Sequence, residues 1–535
     1  MQTRAPAAIH LATVVAVGLL LWSCISYVPM WDGFIYATAI NDAVRWPPTL
    51  GSLRLAGHAS HFYAALAIAF QALAPGQYWP TLLLGAVLVA LAALAFHRLL
   101  RLTFPGPGRS LDRALLTACF AVQPSLLAAA VQPGLDLPLV PGFLWCTVLL
   151  MERRWIPLVL VGTALAFTKE TGVLLYAGLL ASHGLWTLVR AEGAVRDRLM
   201  SVVRLVPLAA PALIFAAYLA VRAQLIPAGE VVVWNAGTAM INQSLMRQLL
   251  VPRVDRYVAV YLSMVAVLNF AWVITVSVSA AVVVAVRRTG AQRLVAESVR
   301  FATTAVGFIS LLLLVTAFAL TRFASYANSR YLLPVMVLSL VPLFAALDTL
   351  RLPVRVRRGV LAVLSLMLLV SNVRTIDPAS QALYGTFAFG EHRMLRMTSI
   401  THECCASGRD QLVYSLEFTM IERLMSDALA ASAPGDSTLI VLPDSTNWYA
   451  VSLLDRTTNR RSVDSMKSVV PVVTESDSAS QFSNRFGRAI YLTLPNGAGD
   501  RGLEMLARDF VVGPERRFSR RGYWLSEYPL TSRAP

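Results

Sequence analysis

Residues 78–99, YWPTLLLGAVLVALAALAFHRL, decide the class of fold. No charged side chain interrupts the run before Arg98, and only Pro80 and Gly85 disturb an otherwise helix-forming stretch. A helix rises about 1.5 Å per residue, so about 20 apolar residues cross the ~30 Å hydrocarbon core of a bilayer. The stretch reads as a membrane span. Apolar runs at 8–27, 111–129, 171–189, 205–223, 257–286, 301–320, 331–350 and 360–373 read the same way. Two more, 137–151 and 155–168, are short, and are either complete spans in a thin region or broken helices whose ends are satisfied by neighbouring protein. The sequence therefore predicts an α-helical polytopic membrane protein of about eleven transmembrane helices.

Composition agrees. Of the 535 residues 56% are hydrophobic and 14% charged, against about 45–50% and 25% in soluble domains. That excludes a disordered chain and disfavours a water-soluble one. The formal net charge of +16, from 46 Lys+Arg and 30 Asp+Glu, at first admits a nucleic-acid partner. Divided at residue 375, however, the first part holds 29 basic and 12 acidic residues, the remainder 17 and 18. The excess sits in alternate short loops, around Arg98 to Arg113, Arg153-Arg154, Arg190 to Arg204, Arg287 to Arg300 and Arg351 to Arg358. Basic loops stay cytoplasmic. The charge thus reports topology, with no nucleic acid implied: N-terminus cytoplasmic, first segment retained as an anchor, and everything after 375 outside the inner membrane.

On the outer side the first connection, 28–76, is long. Residues 32–46 read as an amphipathic helix on the membrane surface, with Trp31 and Trp46 as interfacial anchors. The connection 226–256 is long as well, and that around Gly134-Leu135-Asp136 is tight. From 376 to 535 the composition is that of a soluble domain, with a helical pattern at 411–433 and strand patterns at 438–442, 489–494 and 510–512. The expected division is a transmembrane domain, 1–375, and an extracytoplasmic α/β domain, 376–535.

A charge near the bilayer centre costs about 2.5–3.5 kcal/mol or more, so ionisable residues at span ends mark function. On the outer side these are Asp32, Asp42, Asp136, Lys169, Glu170, Arg322 and Arg330, with Arg45, Arg54, His58 and His61 in the first loop. Lys169 is the only lysine before residue 376. Carboxylates that activate a hydroxyl, and cations that stabilise a phosphate leaving group, are the parts a transferase needs.

These positions carry a resemblance. Trp31-Asp32-Gly33-Phe34-Ile35-Tyr36 is similar to the acidic first-loop motif of the GT-C fold glycosyltransferases that use polyprenyl-phosphate sugars, the protein O-mannosyltransferases and aminoarabinose transferases among them. Pro124 followed by Gly134-Leu135-Asp136-Leu137-Pro138 resembles their helix-loop-helix with an Asp in the turn. Phe167-Thr168-Lys169-Glu170-Thr171-Gly172 resembles their Lys-Glu segment, and Ser329-Arg330-Tyr331-Leu332-Leu333-Pro334 their Arg-Tyr-x-x-Pro segment. The resemblance implies a GT-C-like fold over 1–375 and inverting transfer from a polyprenyl-phosphate-linked sugar to a lipid, glycan or protein acceptor. It makes Asp32 the general base, puts Lys169 and Arg330 on the donor phosphate, and leaves Asp42, Asp136, Glu170, Tyr331, His58 and His61 on the acceptor side or in support. Gly33 stands where many relatives carry a second acid, and Gly57-His58-Ala59-Ser60-His61 replaces a Pro-rich stretch.

Plainer readings compete. Asp32 suits a helix N-cap, Asp42 a solvated helix face, and Asp136 a turn. Lys169-Glu170 could be an interfacial pair, and Arg330 a headgroup anchor. His58 and His61 alone make a weak metal signal, so a divalent metal stays open and no cofactor is called for. Cys404-Cys405 need no catalytic role. Two other functions remain: a transporter or flippase of a lipid-linked or small solute, and a non-catalytic envelope scaffold. The first is disfavoured because no internal repeat is visible.

Overall fold

The computed structural model describes residues 4–25, 32–45, 58–190, 202–225, 270–289, 291–321, 329–373, 438–442, 472–474, 488–493, 498–520 and 523–533, with isolated residues between them. Trp31, Trp46, Arg54, Arg322, Cys404-Cys405, the connection 226–256 and most of 411–433 lie outside the described residues, as does the side chain of Asp32. The helices are α1 (Arg4–Ser23), α2 (Asp32–Arg45), α3 (His61–Gln71), α4 (Trp79–Thr103), α5 (Ser110–Ala121), α6 (Pro124–Ala130), α7 (Leu139–Met151), α8 (Trp155–Ala166) and α9 (Glu170–Arg190). They continue with α10 (Ala210–Leu225), α11 (Ala271–Thr289), α12 (Ala291–Ala302), α13 (Ala305–Thr321), α14 (Leu333–Leu338), α15 (Leu340–Thr349) and α16 (Val354–Ser371).

Five stretches are each long and apolar enough to cross a membrane: Ala5–Ser23, Trp79–Thr103, Glu170–Arg190, Ala271–Thr289 and Arg330–Thr349. Two bent pairs, α5 with α6 at 56° and α12 with α13 at 82°, could each form one further span. Three shorter apolar helices, α7, α8 and Val206–Val221, join them among the described residues. The polytopic helical architecture expected from the apolar runs is thus present. Its outer surface is greasy: Leu11, Val14 and Trp22 on α1 and Ile156 and Leu160 on α8 are exposed. Such a surface suits lipid contact.

The bend between α5 and α6 has an identifiable cause. Pro124 has no N–H and cannot continue α5, which frees backbone carbonyls in an apolar interior. Buried Asn372, just after α16, donates to Val122 O at 2.8 Å and to Leu368 O at 2.9 Å. The break is tolerated because a side chain satisfies it. Against α6, Gly85 of α4 packs so closely that a Cβ there would lie 2.0 Å from Ala130 O.

Helices α7 and α8 form a hairpin between two charged ends. At one end Glu152, after α7, takes Arg98 of α4 in a bidentate pair at 2.5 and 2.8 Å. Nearby in the sequence pattern of basic loops, Asp112 is fully buried and accepts from Arg357 at 2.7 Å and Arg358 at 2.8 Å. Asp348 takes Arg357 at 2.6 Å and also Arg109. Four of the loop arginines, Arg98, Arg109, Arg357 and Arg358, are thus tied to carboxylates, which hydropathy did not show. Asp112→Asn removes the charge but keeps the shape, and should cost about 2–3 kcal/mol, the scale of hydrogen bonds to charged groups. Thermal denaturation of the detergent-solubilised protein measures this, and an unchanged midpoint would count against the network. The hairpin's other end carries Asp136 before α7 and Lys169 after α8, so 137–168 runs from one charged end to the other and back.

In the C-terminal part, β1 (Thr438–Leu442), β2 (Val472–Thr474), β3 (Arg488–Thr493), β4 (Phe510–Val512), β5 (Arg516–Arg520) and β6 (Tyr523–Ser532) form one sheet with the order β2-β1-β3-β6-β4, and β5 also pairs with β6. β1 is parallel to β2 and β3, whereas β6 is antiparallel to β3, β4 and β5. Helix α17 (Ala498–Asp509) sets Leu503 and Leu506 against Leu439, Val441 and Tyr491. Strands β1, β3 and β4 fall on the apolar runs of the sequence. β5 does not, because Arg516, Arg517 and Arg520 mask its pattern, a common guise of edge strands.

Candidate functional site

The turn between α6 and α7 holds Asp136, and the turn between α8 and α9 holds Lys169. Closing the α7–α8 hairpin brings these residues together: Lys169 Nζ donates to Asp136 Oδ1 at 2.6 Å. A short 3₁₀ turn, Ser329–Leu332, supplies Arg330, whose Nε lies 3.1 Å from Asp136 Oδ2. One carboxylate thus holds two cations from distant parts of the chain. Tyr331 lies beneath them, with Lys169 Nζ 4.3 Å and Arg330 Cζ 5.8 Å from the ring centre, within cation–π range. Asp136 and Lys169 are each 7% exposed.

Burial alone would drive both groups neutral, but their partners prevail. Lys169 and Arg330 hold the Asp136 carboxyl below the usual carboxylate range, and Asp136 holds the Lys169 ammonium above the usual lysine range. The cluster is charged throughout the neutral range.

The Lys169 turn depends on a close approach. A Cβ on Gly172 would lie 2.0 Å from Leu165 O, and the Gly172 N–H donates to Lys169 O at 2.7 Å. Only glycine lets the first turn of α9 fold back onto the end of α8. Gly172→Ala should therefore displace Lys169 and reduce its pairing with Asp136. The expected outcome is a loss of activity that Lys169 variants no longer worsen, read by comparing single and double variants; additive losses would overturn it.

Beside the three charges lies a pocket partly open to solvent, lined in part by Gly33, Tyr36, His58, Ser125, Gln132 and the 133–137 turn as well as by Lys169, Arg330 and Tyr331. A narrow, more apolar crevice, with Leu139, Leu175, Leu320 and Pro334 in its wall, shares Asp136, Arg330 and Tyr331 with it. Gly33 sits against the Gln132-Pro133 turn. A Cβ there would lie 3.1 Å from Gln132 Oε1, the end of a flexible side chain, and 3.5 Å from Pro133 O.

Asp32 is the first residue of α2, next to the pocket-lining Gly33. Glu170 opens α9 and accepts from Ala59 N at 2.9 Å, with His58 Nδ1 2.7 Å from its other oxygen. His58 lines the pocket, while Asp42 and His61 are not among its lining residues. His61 lies edge-on to Phe167 and Tyr218, with centroids 5.9 and 5.1 Å away. The two histidines thus serve different surroundings. Among the described residues no group of three or more His, Cys, Asp or Glu could hold a metal ion. Sequence reading missed Tyr63, whose hydroxyl accepts from Gly134 N at 3.3 Å and steadies the Asp136 turn. No local pattern marks it, because its partner is 71 residues away.

With this geometry in view, known structures offer one likeness. The chain is similar along its length to ArnT. Two crystal structures of ArnT from Cupriavidus metallidurans match. The form bound to undecaprenyl phosphate has 13% identity and a TM-score of 0.49 over 97% of each chain. The apo form has 13% identity and a TM-score of 0.47 over 98% of each. No family model and no curated protein sequence matches the chain.

Proposed function

We propose that the protein is an integral inner-membrane glycosyltransferase that moves a sugar from a polyprenyl-phosphate donor to an acceptor hydroxyl at the outer face, with inversion at the sugar carbon. The observation that carries this reading is the convergence of Lys169 and Arg330 on Asp136 beside a pocket partly open to solvent. Two fixed cations suit a phosphate that gains negative charge as the sugar departs, because stabilisation counts most where charge develops. Asp136 keeps both cations in place before the donor arrives. Asp32, at the start of α2, is the carboxylate that activates the acceptor hydroxyl, as its motif implies. Tyr331 and Glu170 support the cations and the 58–60 turn. The residues after 375 form an extracytoplasmic domain beside the acceptor.

Purified protein in proteoliposomes, given polyprenyl-phosphate-linked pentoses and hexoses and a panel of hydroxyl acceptors, should release polyprenyl phosphate and add one sugar mass to an acceptor. Asp32→Asn and Arg330→Ala proteins that insert normally should lose this transfer. Wild-type rates from both variants would sink the reading.

A further inference from the structure

Thr171 follows Lys169 by two positions, in the first turn of α9, and lines the narrow crevice together with Asp136, Arg330 and Tyr331. It is 9% exposed, and its Oγ1 is sealed from solvent with no hydrogen-bond partner among the described residues. Threonines of the adjoining hairpin behave otherwise. Thr147, Thr163 and Thr168 each donate to the carbonyl four residues back, at 2.9, 2.8 and 2.8 Å. For Thr171 that carbonyl belongs to Phe167, which already accepts from Phe62 N at 3.0 Å. The carboxylate on the same wall, Asp136, has its two oxygens turned to Lys169 and Arg330.

A buried hydroxyl without a partner lowers stability, so the folded chain gains nothing from this one as it stands. Its surroundings define what would complete it. Two cations and a hydroxyl donor together favour an anion rich in acceptor oxygens. A carboxylate has only two, and here both are engaged. A phosphodiester brings two unesterified oxygens and two bridging ones, so a phosphate drawn to Lys169 and Arg330 keeps an oxygen for Thr171. Threonine in a helix populates two rotamers, and the hydroxyl can turn without moving the helix.

We propose that Thr171 is a further donor-binding residue, its hydroxyl donating to a phosphate oxygen of the polyprenyl-phosphate sugar and of the polyprenyl phosphate left behind; the inference rests on the transferase reading. The hydroxyl keeps its proton throughout, and acceptor activation stays with Asp32. Because Thr171 meets donor and product alike, its effect falls on binding and not on the rate of the bound complex.

The test measures binding of polyprenyl phosphate to the full-length protein in detergent, with the phosphate-free polyprenol of the same length as control. The wild type should bind the phosphate far more tightly; equal binding of the two, or none, would sink the transferase reading and this inference with it. Thr171→Val keeps the shape and removes the hydroxyl. It should bind polyprenyl phosphate about 10–100-fold more weakly, the scale of a hydrogen bond to a charged group. In proteoliposomes donor KM should rise by a like factor with kcat nearly unchanged. Thr171→Ser should keep wild-type binding. Without ligand, Thr171→Val should melt no lower than the wild type, because the hydroxyl it lacks had no partner. Thr316 of α13 carries the other buried threonine hydroxyl without a partner among the described residues, and it lines neither pocket nor crevice. Thr316→Val should therefore leave binding unchanged. A Thr171→Val protein that binds polyprenyl phosphate as tightly as the wild type would overturn the inference and leave the transferase standing. One that melts lower without ligand, or does not fold, would show that the hydroxyl serves the fold, and would overturn it as well.

Discussion

Asp136→Ala should destabilise the protein by about 3–5 kcal/mol, because removing one partner of a buried ion pair leaves uncompensated charge behind. Here two cations, Lys169 and Arg330, would lose the same carboxylate. Thermal denaturation in detergent measures the loss. The double variant Asp136→Ala with Lys169→Met should recover part of it, since neighbouring residues in one network couple; strictly additive losses would refute the network. The pH dependence has a defined sign. The Asp136 carboxyl is depressed, so its contribution is present above the ordinary carboxylate value and is lost as pH falls through its lower folded value. The Lys169 ammonium is raised, so its contribution is present below the ordinary lysine value and is lost as pH rises through its higher folded value. Between these limits, and so across the neutral range, the wild-type cluster should show flat stability, and Asp136→Ala should remove the acid-side dependence.

Lys169→Ala should lower kcat about 10²–10³-fold, the usual effect of deleting one donor that meets developing charge. Donor KM should change much less, because the interaction strengthens only as the phosphate gains charge. Lys169→Arg should not restore the rate. The compact ammonium occupies a buried position 4.3 Å from the Tyr331 ring centre, and a planar guanidinium there could not keep the same contacts. Steady-state kinetics in proteoliposomes separate the cases. A loss wholly in KM would show that Lys169 only binds the donor and does not favour the transition state.

The members of the charged cluster were legible one residue at a time. Asp136, Lys169 and Arg330 stood out because each is an ionisable residue at the end of an apolar run, where charge is costly unless it is used. The sequence could not show that Asp136 holds both cations. Nor could it join His58 to Glu170, 112 positions apart. It grouped His58 with His61 by spacing, although the chain sends one to the pocket and the other to an aromatic cluster. The Arg-rich loops were read for topology but hid the pairs of Asp112 and Asp348, because loop charge counts carry no information about partners.

The apolar segments were determined by the sequence alone, because transfer of each side chain into hydrocarbon is nearly a local sum over about 20 residues. The strand patterns of β1, β3 and β4 came from the same local reading. Only the tertiary structure decided which charges meet. That depends on how helix ends are brought together by contacts far apart in the chain, such as Gly85 against Ala130. A buried ion pair is stable only when both ends arrive with good geometry, and no sequence window contains both.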